Sequence, residues 1–305
     1  MSTKSGAYAA LLFACALFAS GYVLVRAIDP QAGMGMFVTQ SMFFCALTIT
    51  LFGYKKPARK ATRYDMAAMA FNGVGSPLAL FLVLGGARVV TPSLASIIVN
   101  SNVLMIALLA WALGRKKFTK TQFLALTAGF AGIVWISLER GAIGGEARGV
   151  MYLLAGAVLV AAITVTIERA VVEIGAVAVT RWAYWIGFTT SLTAMIVSGQ
   201  LKFHSFWQSG LAMITGGVSL GAPALLFYFG MSRLGSADAA AFKLLIPFFA
   251  LIYGIVFLDQ IPNLSSAIAG VLVIVSVAVY QFSGRADAGG LASARTPGVS
   301  QNVKP

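Results

Sequence analysis

Ten stretches of about twenty mainly apolar residues follow one another along the chain, each long enough as helix to cross a hydrocarbon layer of about 30 Å. They fall near 7–28, 33–53, 65–87, 91–113, 119–138, 147–168, 176–198, 208–231, 236–258 and 264–282. Inside lipid every backbone N–H and C=O must be satisfied by the chain itself, and a helix does this within one segment. The fold expected is therefore an all-α integral membrane protein with ten transmembrane helices. Composition agrees, since 59% of the 305 residues are hydrophobic and 10% are charged, against about 25% charged in a soluble domain.

The charges that remain are unbalanced: 22 Lys and Arg against nine Asp and Glu, a net +13. An excess of this size raises nucleic acid as a partner until the positions are read. Fifteen basic residues lie on the amino-terminal side of the spans, among them Lys4, the run Lys55 to Arg63, Arg115 to Lys120, Arg169 and Arg233, and five lie on the other, namely Arg26, Arg88, Arg140, Arg148 and Lys202. Short basic loops stay in the cytoplasm. Both termini are expected there, and the partner implied is a lipid bilayer, with no nucleic acid. Cys15 and Cys45 both sit in apolar stretches, which excludes a disulfide framework and a CxxC redox or metal motif. No oligomeric state follows from the sequence.

Self-similarity organises the chain further. Gly75-Ser76-Pro77-Leu78-Ala79-Leu80-Phe81 returns as Gly221-Ala222-Pro223-Ala224-Leu225-Leu226-Phe227, in spans three and eight. Gly6 with Arg26-Ala27 returns as Gly149 with Arg169-Ala170, and Arg88 returns as Arg233. Five helices per copy is an odd number, so the second copy runs through the membrane upside down relative to the first. Two inverted five-helix repeats are thus expected, 1–143 and 144–283, followed by a disordered cytoplasmic tail over 284–305 that is rich in Gly, Ala and Ser. Inverted repeats of this kind are an architecture of secondary transporters. The first stretch has the outline of a secretory signal peptide, but its second copy at 147–168 argues that it remains as a helix.

The segments Arg233-Leu234-Gly235-Ser236-Ala237-Asp238-Ala239-Ala240 leading into Leu244-Leu245-Ile246-Pro247, and Leu258-Asp259-Gln260-Ile261 before the last span, resemble the drug/metabolite transporter superfamily in its EamA-type, ten-helix branch. Their first-half counterpart is Leu113-Gly114-Arg115-Lys116-Lys117-Phe118-Thr119 before the Gly129 to Gly132 helix. The resemblance implies a prokaryotic inner-membrane carrier that moves small metabolites, often outward, through a central cavity with spans five and ten at the periphery. Where such proteins often carry a glutamate before the span-nine proline and an acidic residue before span five, this chain has Ile246 and Arg115. Lys243 stands where a small or apolar residue is usual.

Candidate substrate-binding residues follow from polar groups inside apolar spans. Lys243 lies eight residues past Gly235, about 12 Å of helical rise into the membrane. A lysine at that depth either meets water, an anion or a partner, or snorkels to the interface. Binding an anionic group such as a carboxylate is the functional reading. Arg181 shares a helical face with Trp185 and Phe188 and either assists Lys243 or belongs to an interfacial aromatic belt. Asn100 and Asn102 either face a cavity or hydrogen-bond between helices. Gln40 and Tyr228 are further candidates, with Asn72, Tyr22 and Tyr253 weaker ones. Pro77, Pro223 and Pro247 are expected hinges, because a proline inside a span removes a backbone hydrogen bond and bends it.

Nothing points to chemistry on a substrate. His204 is the only histidine, in a short loop without a nucleophile or metal-ligand spacing nearby, and no Walker sequence occurs. No catalytic residue, metal or cofactor is expected. Gly217 and Gly221 are expected to serve helix packing, Gly144-Gly145 to be a loop, and the sequon at Asn263 to be without meaning. The acidic residues lie in loops or at helix ends, which favours facilitated diffusion or exchange over proton coupling. The function expected is a secondary transporter of a small organic metabolite, with carboxylated compounds such as amino acids or organic acids favoured by Lys243. The rival readings are a membrane-embedded lipid-modifying enzyme, which needs a nucleophile, base or metal cluster, and a channel or scaffold subunit.

Overall fold

The computed structural model describes residues 3–29, 33–53, 56–113, 119–141, 146–201, 205–234, 242–260 and 264–294. His204, Gly144, Gly145, Asn263, Asp238 and Arg115 lie outside them. All regular structure among the described residues is helical. In chain order come α1 (Thr3–Leu24) with a 3₁₀ turn at Val25–Ala27, α2 (Met34–Phe52), α3 (Arg63–Ala87), α4 (Pro92–Asn100), α5 (Asn102–Ala112) and α6 (Lys120–Gly141). Then follow α7 (Glu146–Ile174), α8 (Ala176–Val197), α9 (Phe206–Met213), a π-helical segment (Ile214–Gly221), α10 (Ala222–Leu234), a 3₁₀ turn (Lys243–Leu245), α11 (Ile246–Leu258) and α12 (Leu264–Ala294).

Among the described residues six helical runs combine the length and apolarity needed to cross a membrane: Ser5–Ala27, Met34–Phe52, Arg63–Ala87, Pro92–Leu109, Ala147–Ile174 and Phe206–Met231. Ile246–Leu258 and Ala267–Tyr280 are shorter apolar helices, and α6 and α8 have 22 residues each. Phe13, Leu78, Val158 and Val271 point outward, as side chains do where the surroundings are lipid.

Three of the expected spans are interrupted. The fourth breaks at Ser101, whose hydroxyl donates to the Ile98 carbonyl at 2.6 Å; such local side-chain bonding competes with the helical ladder. In the eighth, the π-helical segment brings Gly216 onto α2 so closely that a Cβ there would overlap the Ser41 backbone. Glycine is required at that crossing. The ninth turns through 3₁₀ geometry at Lys243–Leu245 before α11 begins. Pro247 therefore occupies the first turn of α11, where its missing N–H belongs to a group that has no intrahelical partner in any case. Pro77 lies inside α3, and Pro223 is the second residue of α10, directly after the π-helical segment.

Helix packing is pairwise and extensive. The largest contacts join α3 to α7, α6 to α12, α1 to α10, α2 to α8 and α3 to α8. Small residues set the α3–α7 approach: a Cβ on Gly86 would come within 2.6 Å of the Gly149 carbonyl oxygen. Within a membrane, where lipid is as apolar as the side chains, such close packing supplies the association energy. Gly217 and Gly221 both face Thr48 of α2, in keeping with a packing role. Cys15 and Cys45 are buried and free. The last helix continues through Gly284 to Ala294, so the expected disorder does not begin at 284; residues 295–305 lie outside the description.

The start of α3 is anchored by a capping box, in which Thr62 accepts from the Asp65 N–H and Asp65 accepts from the Thr62 N–H at 2.8 Å. Arg59 donates to the same Asp65 oxygen at 2.7 Å and also to Glu173 near the end of α7. These two acceptors, Asp65 foremost, raise the Arg59 pKa above its ordinary value. The Ala58 N–H adds a bond to the Ile174 carbonyl at 2.9 Å. The α2–α3 connection is thereby tied to the end of α7.

Candidate functional site

A cavity of about 460 Å³ runs between α1, α2, α3, α4, α7, α8, the π-helical segment, α10, the Lys243 turn and the start of α11. Its walls are mainly apolar, with Phe18, Met42, Leu80, Val83, Val99, Val160, Ile163 and Ile246 contributing. Polar groups enter at few places, which is the composition expected of a small-molecule site. They are Tyr22 from α1, Asn72 and Ser76 from α3, Asn100 from α4, Thr164 from α7, Thr180 and Tyr184 from α8, Thr215 and Ser219 from the π-helical segment, Tyr228 from α10, and Lys243.

Most of these groups are already held by neighbours. Ser76 donates to the Asn72 side-chain oxygen one turn earlier. Asn100 donates to the Ser96 carbonyl at 2.8 Å, Thr180 and Tyr228 share a hydrogen bond of 2.6 Å, and Ser219 pairs with Ser20 of α1 at 2.7 Å. Lys243 differs. Its Nζ lies 4.7 Å from the centre of the Phe227 ring, a cation–π contact, and among the described residues no carboxylate comes within ion-pair distance. The ammonium is thus the charged group of the cavity wall, resting on an aromatic face. Such a group attracts an anion strongly where the walls screen poorly. Among the described residues no three His, Cys, Asp or Glu side chains gather as ligands for a metal ion.

Of the residues singled out from the sequence, the cavity brings together Lys243, Asn100 and Tyr228, with Tyr22 and Asn72 from the weaker set. Gln40 lies away from this wall and donates to Ser209 at 3.2 Å, tying α2 to α9. Asn102 begins α5 beyond the wall. Arg181 follows Thr180 on α8 but does not line the cavity, and Trp185 one turn on donates to Thr50 at 3.0 Å and packs on Phe43. Tyr253 stacks with Phe249 and Phe257 on α11. Sequence reasoning missed Ser76, Thr164, Thr180, Tyr184, Thr215 and Ser219. Spacing of four residues, Asn72 with Ser76 and Thr180 with Tyr184, places each of those pairs on one helical face and is the signal that pointed to them.

The two ends of the cavity are built differently. At one end Arg26 donates to the Val90 carbonyl, and Arg88 donates back to the Ile28 carbonyl at 3.2 Å. Beneath these bonds Val25, Ile28, Leu84, Ala87, Val90 and Leu94 are buried together. At the other end Val171, Thr180, Tyr228 and Lys243 line the cavity and are only partly buried.

A solved crystal structure has the same fold, with a TM-score of 0.60 at 16% identity, over 92% of this chain and 99% of that one. Comparison with curated proteins finds no match. The model of the EamA-like transporter family matches in two consecutive segments, residues 5–138 and 147–281. With its apolar helices wrapped around a central cavity, the chain belongs to the EamA-like transporter family, a multi-pass membrane transporter of the drug/metabolite transporter superfamily.

Proposed function

We propose that this transporter carries a small carboxylated metabolite by alternating access, using ten membrane-crossing helical units arranged as two inverted repeats. The observation that carries the substrate class is Lys243: an ammonium in the wall of an apolar cavity, over Phe227 and with no acidic neighbour among the described residues. A carboxylate entering beside it supplies the missing counter-charge. The amide and hydroxyl groups of Asn72, Asn100, Thr180 and Tyr228 offer uncharged hydrogen-bonding positions for the rest of the molecule.

Support for the repeat comes from the packing pattern. Equating α1 with α7, α2 with α8, α3 with α9–α10, α4–α5 with α11 and α6 with α12 turns the α3–α7 contact into the α10–α1 contact. It leaves α2–α8 and α6–α12 as self-equivalent pairs, and turns α1–α11 into α7 against α4 and α5. The two family-model matches divide the chain in the same way. An inverted pair exchanges conformations between its halves and so moves the opening of one central site from one side to the other. The bias of basic residues supports an inner-membrane location with both termini cytoplasmic, and in that orientation the Lys243 end of the cavity faces the cytoplasm.

The test of substrate class is counterflow in liposomes with succinate, pyruvate and glutamate against an uncharged sugar. Saturable exchange restricted to the carboxylates is the expected result, and exchange of the sugar alone overturns it. Orientation is checked with reporter fusions: those after Lys60, Lys117 and Phe282 are expected to read cytoplasmic, those at Gly144 and Asn263 external. A cytoplasmic signal at Gly144 breaks the inverted repeat.

A further inference from the structure

The reciprocal bonds at the closed end join the chain just after α1 to the chain just after α3: Arg26 reaches the Val90 carbonyl and Arg88 reaches the Ile28 carbonyl. Each arginine ends one helix and holds the backbone that follows the other. Arg26 and Arg88 are also the two basic residues that the internal repeat reproduces, as Arg169 and Arg233. Those counterparts lie on the equivalent helices towards the opposite end of the cavity, Arg233 in the last turn of α10 and Arg169 one turn before the end of α7, and they are engaged differently. Arg169 donates to Glu173 on its own helix at 2.9 Å and lies over the Tyr64 ring, and Arg233 lies over Phe229 on its own helix.

Burial follows the same division. Val25 is 1% exposed, Ile28 2% and Leu84 4%. Glu168, which corresponds to Val25, is exposed; Val171, which corresponds to Ile28, lines the cavity; and Phe229, which corresponds to Leu84 when Arg88 is aligned with Arg233, is 44% exposed. One end has a clasp with a plug beneath it. Among the described residues the other end, which repeats the two arginines but has Glu168 and Phe229 in place of Val25 and Leu84, has neither.

We infer that the two arginine pairs are alternating clasps: Arg26 and Arg88 hold the cavity shut at the far end in this conformation, and Arg169 and Arg233 close the Lys243 end in the opposite one. This inference rests on the inverted-repeat, alternating-access reading proposed above. In the opposite conformation Arg169 and Arg233 exchange their present contacts for acceptors across the Lys243 end. Arg26 and Arg88 release their acceptors at the same time. A guanidinium suits the task because it is always charged and presents several donors, so it trades one carbonyl or aromatic face for another without a change of protonation.

The experiment uses single reporter cysteines, Ile28→Cys at the clasped end and Val171→Cys at the open end, in full-length protein carrying Cys15→Ala and Cys45→Ala. Reactivity is read in detergent with a hydrophilic maleimide that reaches both ends. With the arginines intact, Val171→Cys reacts and Ile28→Cys is protected. Arg26→Met with Arg88→Met is expected to raise the Ile28→Cys rate about tenfold while lowering that of Val171→Cys, because removing charge-assisted bonds found in one state shifts the population to the other. Either single replacement gives a smaller shift of the same sign. Arg169→Met with Arg233→Met is expected to leave Ile28→Cys protected. An unchanged Ile28→Cys rate in the first pair overturns the clasp, as does a rise at both reporters together, which reports loosening of the whole bundle. Counterflow of succinate, pyruvate and glutamate by the parental protein separates the two proposals. Carboxylate flux with no reporter response removes the clasp and leaves the function; opposed reporter responses without carboxylate flux keep the clasp and remove the substrate class.

Discussion

The two ends of the cavity, near which the sequence places the matched arginines Arg26 with Arg88 and Arg169 with Arg233, have unlike surroundings. Around Arg26 and Arg88 the chain ends are cross-bonded and Val25, Ile28 and Leu84 are sealed from solvent and lipid. Around Lys243, Val171 and Tyr228 the wall stays partly open, and the helix that carries Lys243 has not regained α geometry at that residue. Matched arginines in two surroundings teach that an arginine at that position does not by itself make the seal. Interfaces of packed helices are bistable and do not deform continuously.

The largest expected effect lies at the open end. Lys243→Met keeps the length and apolar stem of the side chain and deletes its charge, so a loss is assigned to the ammonium. Hydrogen bonds to charged groups contribute about 1.5–3 kcal/mol, and carboxylate transport is expected to fall by roughly ten- to a hundredfold while any neutral substrate is spared. Equal transport of both classes by the variant would reduce Lys243 to a snorkelling residue.

Plug and open wall are also distinguishable by stability. Leu84→Ala removes side-chain atoms from a buried cluster and is expected to lower stability by about 2–3 kcal/mol, read as a lower melting temperature in detergent. Phe229→Ala, on the partly exposed counterpart, is expected to change it little. Equal losses would mean that the open end is as tightly packed as the closed one.

Smaller effects are expected where the connection before α3 is tied to α7. Asp65 accepts from Arg59 and from both the backbone and the hydroxyl of Thr62. Asp65→Asn keeps the shape but loses the charge and is expected to lower the melting temperature by a few degrees, with unchanged discrimination between carboxylate and neutral substrates. Loss of that discrimination would place Asp65 in the transport site itself.

The finest comparison is between the matched prolines. Pro77 interrupts the ladder of a continuous helix, whereas Pro223 follows a π-helical segment that has already relaxed it. Pro77→Ala is therefore expected to slow turnover a few-fold without weakening binding, and Pro223→Ala to slow it less. Parental rates in both would make the prolines packing residues.

Much of the helical layout was legible in the residues. Runs of apolar side chains force helices in lipid whatever their neighbours, and described helices occupy each of the ten predicted stretches. Lys243, Asn100 and Tyr228 were legible as polar exceptions in apolar runs. The breaks at Ser101, at Ile214–Gly221 and at Lys243–Leu245 were not, because each depends on a local bond or a close helix crossing that strings of apolar residues do not encode. Gln40 illustrates the limit: its polarity marked it, but its amide nitrogen donates to Ser209 across the bundle and it does not line the cavity. Thr180 and Tyr184 illustrate the converse, since hydroxyls are ordinary in membrane helices until a cavity gives them a role.

By itself the sequence determined that this protein is helical, apolar and internally repeated, since each property follows from local composition, spacing or self-comparison. Which polar side chains meet, which end of the cavity is sealed, and that Arg26 and Arg88 bond reciprocally to each other's segments while Arg169 and Arg233 do not were decided by the tertiary structure. The physical reason is that these contacts join residues far apart in the chain, and only the packing of the whole bundle brings them together.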